Sequence, residues 1–112
     1  MIYISDHAED LYELGYKGHG EGRLSRYTVE IPMTIYVSNK FKELHPEIIK
    51  KIKSSLNKPY MTDDIIHMIL DIAEIETPEF DKTKSIINED FNKNRNRILK
   101  GKSYDKYYKI KQ

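Results

Sequence analysis

The sequence has no cysteine, which excludes disulfides and leaves the redox compartment unspecified. No apolar run approaches the ~20 residues that span a bilayer, and no signal peptide opens the chain. Any membrane or periplasmic placement therefore has to come from sequence beyond these 112 residues. An excess of one charge is missing too. The 19 Lys and Arg are matched by 18 Asp and Glu, intermixed along the chain, for a net charge of +1. That balance gives no basic stripe for nucleic acid and no patch for an anionic membrane surface. Internal repeats and low-complexity linkers are also absent. What remains is the length of one domain, 38% hydrophobic and 33% charged, polar for a self-sufficient core but not a disordered composition.

The informative stretch is Ile2-Tyr3-Ile4-Ser5-Asp6-His7, continued through Glu9 to Gly18-His19-Gly20. Residues 2 to 5 are apolar with little alternation, the pattern of a strand buried on both faces of a mostly parallel sheet. The strand runs straight into Asp6 and His7. Successive strand residues face opposite sides, so these two meet at one ion only if the strand ends and the backbone turns. Such strand ends are where α/β enzymes place their chemistry. An oxygen and an imidazole nitrogen together suit zinc or manganese. His19 follows twelve residues after His7, in a loop carrying four of the five glycines.

Glu9 to Leu14 predicts one or two helical turns stopped by Gly15, and Gly15 to Gly22 a loop whose glycines permit close backbone approach to a ligand. Tyr16, Lys17, Arg23 and Arg26 are candidates to contact an anionic substrate, or are plain solvated loop residues. Ile31 to Val37 is the clearest strand, with Pro32 tolerable near its start. Lys40 to Leu44 is a turn of helix. A helix follows from Pro46, with Ile48, Ile49, Ile52 and Leu56 on one face and lysines outside it. Thr62 is an N-cap candidate, with Asp63 and Asp64 in the first turn. The helix that follows is apolar on most sides and expected to be buried, with His67 as a hydrogen-bonded core histidine; His45 reads as a surface residue. Thr77-Pro78 closes the ordered α/β part. Residues 79–112 form a charged tail whose Tyr104, Tyr107 and Tyr108 pack on the domain rather than stack on bases.

Ser5-Asp6-His7-Ala8-Glu9, then His19-Gly20, then Ile31-Pro32-Met33, resembles the C-terminal part of the phosphoethanolamine transferases, in the sulfatase-like branch of the alkaline phosphatase superfamily. The family string is Ser-Asp-His-Gly-Glu, with a His-Gly twelve residues after its His and a hydrophobic strand opening with Pro. Asp63 to His67 is similar to the family's late helix, and the resemblance extends to the stretch near Arg97. The departure is Ala8 in place of Gly. If that position required a positive φ, the added Cβ would cost on the order of 1 kcal/mol.

The resemblance implies an α/β fold, the C-terminal piece of a sulfatase-like sandwich with few strands and two main helices. Residues 1–78 would be the end of the catalytic domain and 79–112 a polar tail packed on it. It further implies zinc (or another divalent ion such as manganese or calcium) held by Asp6 and His7. His19 would contact the phosphoryl group or a second metal, and Glu9 would line the site. In such enzymes a Thr nucleophile moves phosphoethanolamine from a phospholipid donor to an envelope acceptor, in a periplasmic domain anchored to the bacterial inner membrane. That Thr, a Glu ligand and the membrane helices lie upstream in the family, so this chain is expected to carry roughly half of a four-ligand site and no nucleophile. A sulfatase or phosphodiesterase-type hydrolase, a free-standing binding module and an inert truncated product are the alternatives. The abundance of Lys, Asn and Ile fits an AT-rich bacterial genome.

Overall fold

A computed structural model describes residues 1–20 and 24–107, the last without its side chain. The chain is mixed α/β with short strands and two main helices, and it divides into two compact units. One comprises Met1–Val37 with the stretch from Ile98 onward, the other Ser38–Arg97. Compactness thus divides the chain at 37/38 and 97/98, whereas composition changes at Pro78.

In the first unit, β1 (Ile2–Ile4) pairs antiparallel with β4 (Met33–Ile35) in the register Ile2↔Ile35, Tyr3↔Thr34, Ile4↔Met33. The Tyr36 amide donates to the Met1 carbonyl at 2.9 Å, and the Met1 ammonium to the Tyr36 carbonyl at 2.9 Å, which extends the ribbon by one pair. This corrects the expectation of a parallel strand buried on both faces. Among the described residues β1 has one antiparallel neighbour, and Tyr3 is largely exposed. The strand read over 31–37 shortens to three residues, with Pro32 outside the ladder, where its missing N–H costs nothing.

Residues 9 to 14 are not helical. β2 (Asp10–Leu11) and β3 (Lys17–Gly18) form a hairpin, closed by a turn in which Tyr12 and Gly15 both take positive φ, 78° and 81°. Side chains of the segment itself secure the turn. The Leu11 amide donates to the Glu13 carboxylate, and the Leu14 amide to Asp10 Oδ1 at 3.4 Å. Such local side-chain acceptors compete with helix formation. A four-residue helix α1 (Arg26–Val29) precedes β4, and the Thr28 hydroxyl accepts the Ser25 amide at its start. Near the end, β5 (Ile98–Leu99) and β6 (Lys102–Ser103) are joined by Lys100-Gly101, both at positive φ (47° and 74°), as a type I′ hairpin turn requires. The short helix α5 (Tyr104–Tyr107) follows, where Tyr104 is buried and hydrogen-bonded to Glu30. The Tyr107 side chain and Tyr108 lie outside the described residues.

The second unit opens with α2 (Asn39–Leu44), capped by the Ser38 hydroxyl accepting the Phe41 amide at 3.2 Å, and α3 (Pro46–Ser54), with proline at the start and Ile48 buried. His45 sits between them, half-buried, its ring 4.6 Å from that of Phe41. Thr62 does not cap the next helix: Thr62–Asp64 is a 3-10 turn that Met61 precedes without a side-chain cap, and α4 (Ile65–Ile72) begins after it. Nor do Asp63 and Asp64 serve as caps. Both pair with Arg95, Asp63 at 3.1 Å and the buried Asp64 through the other guanidinium nitrogen. α4 is also less enclosed than its composition suggests, with Met68 fully buried but Ile66 51% and Ile69 40% exposed.

The ordered part does not stop at Pro78. Residues 79–97 are a run of turns without regular helix or strand, yet Ser85, Ile86 and Ile87 are buried within it. Polar anchors tie the run to α4. The Asp71 carboxylate accepts from the Ser85 hydroxyl at 2.6 Å and from the Asn88 amide at 3.0 Å, and His67 Nδ1 accepts the Asp81 amide at 3.1 Å. His67 is therefore the hydrogen-bonded histidine its apolar run predicts. Lys58 adds a bond to the Ile86 carbonyl at 2.9 Å.

Two predictions follow from this unit. Replacing the enclosed Met68 with Ala should cost about 2–5 kcal/mol in urea denaturation, and Ile66→Ala under about 1 kcal/mol. Equal losses would contradict the observed facing of α4. The Asp81 carboxyl is held below its usual value, first by the Thr83 hydroxyl at 2.6 Å and then by the Thr83 amide and Lys84. A carboxyl lowered on folding stabilises the fold above its unfolded-state pKa, and that contribution is lost as pH falls through the folded value. Thr83→Val should accordingly move the Asp81 titration to higher pH by NMR and soften the acid limb of the stability curve. An unmoved titration would show that the hydroxyl does not hold Asp81.

Candidate metal centre

β1 ends at Ile4, and the chain turns at once. The Ser5 hydroxyl donates to the His7 carbonyl at 2.8 Å, and the His7 amide donates to Asp6 Oδ1 at 3.0 Å. These two bonds hold Asp6 and His7 out of strand geometry, in the turned backbone that lets consecutive residues face one region. The hairpin of β2 and β3 then carries the chain back and delivers His19. The rings of His7 and His19 lie 4.1 Å apart between centroids, tilted by 32°.

Each ring has its Nδ1 against a group that can only accept. His7 Nδ1 lies 3.3 Å from the Ala8 carbonyl, and His19 Nδ1 lies 3.2 Å from Glu9 Oε1. Nδ1 must carry the proton in both contacts, so neutral His7 and His19 each keep the lone pair on Nε2. A ring nitrogen tied to a carbonyl or carboxylate, with the other left free, is how metal-ligating histidines are oriented. Glu9 is thus the hydrogen-bond partner of His19. The side chains of Asp6, His7, Glu9 and His19 are all solvent-exposed.

The segment is acidic: Asp6, Glu9, Asp10 and Glu13 face one lysine, Lys17, between Asp6 and His19, a local field that favours a cation. The Glu13 carboxyl is held below its usual value, first by its own backbone amide and then by that of Leu11. Asp10 is fully buried with Oδ2 unpartnered. In the sequence Asp10 reads as one residue of a helical turn, five residues before the first glycine, Gly15. Ala8 is not among the described non-glycine residues at positive φ, so alanine there carries no left-handed strain.

As a donor set for zinc, the arrangement is right in kind and short in number. Asp6 and His7 offer one oxygen and one nitrogen, and the stacked rings place a second imidazole nearby. Among the described residues no three His, Cys, Asp or Glu side chains converge as a metal cage, whereas zinc takes at least three protein ligands. Of the other residues singled out, Arg26 pairs with Glu30 at 2.9 Å and stacks over Tyr27. Lys17 lies in β3, and Arg23 lies outside the described residues.

No family model matches the chain. Phosphoethanolamine transferase EptC of Escherichia coli K12 is 27% identical over 94 residues, covering 81% of this chain and 16% of that protein. Phosphoethanolamine transferase CptA of Salmonella typhimurium gives the same identity and coverage. Among solved structures, the C-terminal periplasmic domain of E. coli EptC matches with a TM-score of 0.78 and 25% identity, over 94% of this chain and 31% of that one. The same domain in complex with zinc matches with a TM-score of 0.73 and 26% identity, over 81% of this chain and 26% of that one. Most of this chain is similar to phosphoethanolamine transferases. It spans about one sixth of the length of the curated relatives it matches.

The similarity to phosphoethanolamine transferases fits the mixed α/β architecture, since the solved domain shares the fold over nearly the whole chain. No helix among the described residues is long and apolar enough to cross a membrane. The stacking of His7 and His19 makes a direct prediction. An adjacent ring face shields its neighbour, so His19→Ala should move the His7 ring-proton resonances downfield, and His45→Ala should leave them in place. Unmoved His7 signals in the first variant would mean that the two rings do not meet in solution.

Proposed function

We propose that this chain supplies part of the metal site of a phosphoethanolamine transferase-type catalytic domain. Asp6 and His7 would be its metal ligands, His19 the group that meets the phosphoryl oxygen or a second ion, and Glu9 the residue that orients His19. The observation that carries this is the pair of imidazoles stacked at the end of β1, both with Nδ1 tied to an acceptor and Nε2 free. Support comes from the similarity to transferases whose solved periplasmic domain has a zinc complex.

In this scheme the backbone does the positioning. The Ser5 and Asp6 turn bonds end the strand geometry, so that the Asp6 carboxylate and the His7 ring would be able to meet one ion. Glu9 holds the His19 ring so that neutral Nε2 accepts, and protonated Nε2–H donates to an oxyanion. Zinc, when bound, lowers the pKa of a hydroxyl nucleophile and polarises a phosphoryl oxygen. The remaining ligands and a Thr nucleophile would come from the part of such a domain that the matched stretch leaves out, and residues 1–78 and 79–112 would be the end of the catalytic domain and its packed tail. The donor would be a phospholipid carrying phosphoethanolamine and the acceptor a component of the cell envelope, on the periplasmic side of a bacterial inner membrane.

Two donors from one dipeptide bind an ion weakly, because ordering the loop opposes the gain. Titration calorimetry at neutral pH should show zinc binding to the 112-residue chain well short of a closed site's affinity, weakened further by His7→Ala. Transfer and phosphodiesterase activity should both be undetectable, for want of an activated nucleophile. Tight one-to-one binding abolished by His7→Ala would mean that the chain holds a complete ligand set, and the partial-site assignment would fall to a free-standing metal-binding module.

A further inference from the structure

The hairpin that returns His19 to His7 ends in an apolar tip. Leu11, Tyr12 and Leu14 lie within four residues and are 60%, 68% and 48% exposed. Apolar side chains scattered singly over a surface need no explanation, but three on one turn do. Tyr12 adds strain to exposure. Its φ of 78° lies in the left-handed region, where a Cβ is disfavoured, and its exposed ring makes little packing that could repay the cost. The turn bonds do not need a side chain there: the Tyr12 amide donates to the Tyr16 carbonyl and the Gly15 amide to the Tyr12 carbonyl, both at 3.1 Å, and glycine would make them without strain. Such strain clusters at functional sites.

Charge selects what the tip meets. Asp6, Glu9 and Glu13 are exposed on this segment, and Lys17, cross-strand from Leu11, is the one cation between Asp6 and His19. An anionic lipid surface would be repelled. A zwitterionic one offers ammonium groups to the carboxylates and phosphates to Lys17. Tyrosine, apolar in body and polar at its tip, is at home in such an interface. The dimensions agree as well. His19 lies three residues past Tyr16, so at ~3.3 Å per residue the tip stands at most about 10 Å beyond it. One headgroup layer is about 5–8 Å thick, half the difference between a bilayer of ~40–45 Å and its ~30 Å hydrocarbon core. A tip seated at the acyl boundary therefore leaves His7 and His19 near the level of the phosphates.

We infer that the Leu11–Leu14 turn docks on the surface of a zwitterionic phospholipid bilayer, with Leu11, Tyr12 and Leu14 at the acyl boundary and the acidic segment among the ammonium groups. No helix among the described residues is long and apolar enough to cross a membrane, so this contact lies on the bilayer and not across it. The inference rests on the proposed function, whose phosphoethanolamine donor is itself such a lipid, but it does not require zinc.

NMR of the 112-residue chain tests it, in bicelles of phosphatidylcholine and phosphatidylethanolamine with a nitroxide on the lipid acyl chains. The amides of Leu11, Tyr12, Glu13 and Leu14 should relax at least about fivefold faster than those of Leu44, Leu56 and Ile66, exposed apolar residues of the other unit. Tyr12→Gly removes the ring and the strain together, so the hairpin should persist, read from unmoved His7 ring protons, while relaxation at the tip falls at least about threefold. Leu11→Ser with Leu14→Ser should weaken the contact likewise, and decides the matter should Tyr12→Gly move the His7 signals. Phosphatidylglycerol in place of phosphatidylethanolamine should weaken it too. Equal relaxation at the tip and at the three comparison residues would overturn the inference, as would unchanged relaxation in Tyr12→Gly with the His7 signals in place, or stronger contact with the anionic bicelles. Tip amides shielded from a soluble nitroxide without any lipid would overturn it by giving the tip a protein partner, a second copy if the shielding grows with concentration. Zinc titration separates the two proposals. Tip contact without zinc uptake would sink the metal assignment and keep the lipid surface; zinc uptake without tip contact would do the reverse.

Discussion

Everything chemical in this chain depends on β1 stopping at Ile4. A strand continued by two residues would send Asp6 and His7 to opposite faces, and no single ion or phosphoryl group could meet both. The stop is made locally, by the Ser5 hydroxyl on the His7 carbonyl and the Asp6 carboxylate on the His7 amide. The hairpin of β2 and β3 then has one structural consequence that matters, the return of His19 to the His7 ring. Without the turn there is a strand with an acid and a histidine. With it there is a pair of neighbouring imidazoles, one of them hydrogen-bonded to Glu9.

The nearness of His7 and His19 was legible because its signals are local. Asp-His after a short apolar strand, with His-Gly twelve residues on, fixes the candidate residues without any long-range pairing. The segment between them reads as helix because Glu9-Asp10-Leu11-Tyr12-Glu13-Leu14 has apolar residues at helical spacing. The competing principle was turn chemistry: Asp10 and Glu13 accept amides of their own segment, and Tyr12 takes a positive φ that no propensity scale assigns to tyrosine. The same blindness applied to Asp63 and Asp64. An acidic pair at a helix start looks like capping until Arg95, about thirty residues later, turns out to occupy both.

The stretch 79–97 was illegible for a different reason. It has neither the 3.6-residue nor the two-residue period that marks a regular element, so it reads as tail. Its order comes from side-chain hydrogen bonds to α4, chiefly those on Asp71, and from one apolar pair, Ile86-Ile87. Periodicity detects faces, and a segment held by a few specific anchors presents none. The two main helices, by contrast, announced themselves through apolar stripes and a leading proline, and both stand close to where the pattern put them.

The contrast between the two units bears on how the site could work. Ser38–Arg97 has the buried side chains and polar anchors of a self-supporting piece, whereas the unit with Asp6, His7 and His19 relies on a short ribbon and hairpins. A metal centre needs its donors held to within a fraction of an ångström, and exposed side chains on a hairpin are not held that way. Glu9 fixes the orientation of one ring but not its position. Rigidity at this site would have to come from packing around β1 and β4, which would also give the proposed ligand His7 and the adjacent His19 a defined geometry. Completion of the ligand set and stiffening of the donors already present would then be one event. On that view the weak zinc affinity expected of the isolated chain has two additive causes, too few donors and too much freedom in those it has.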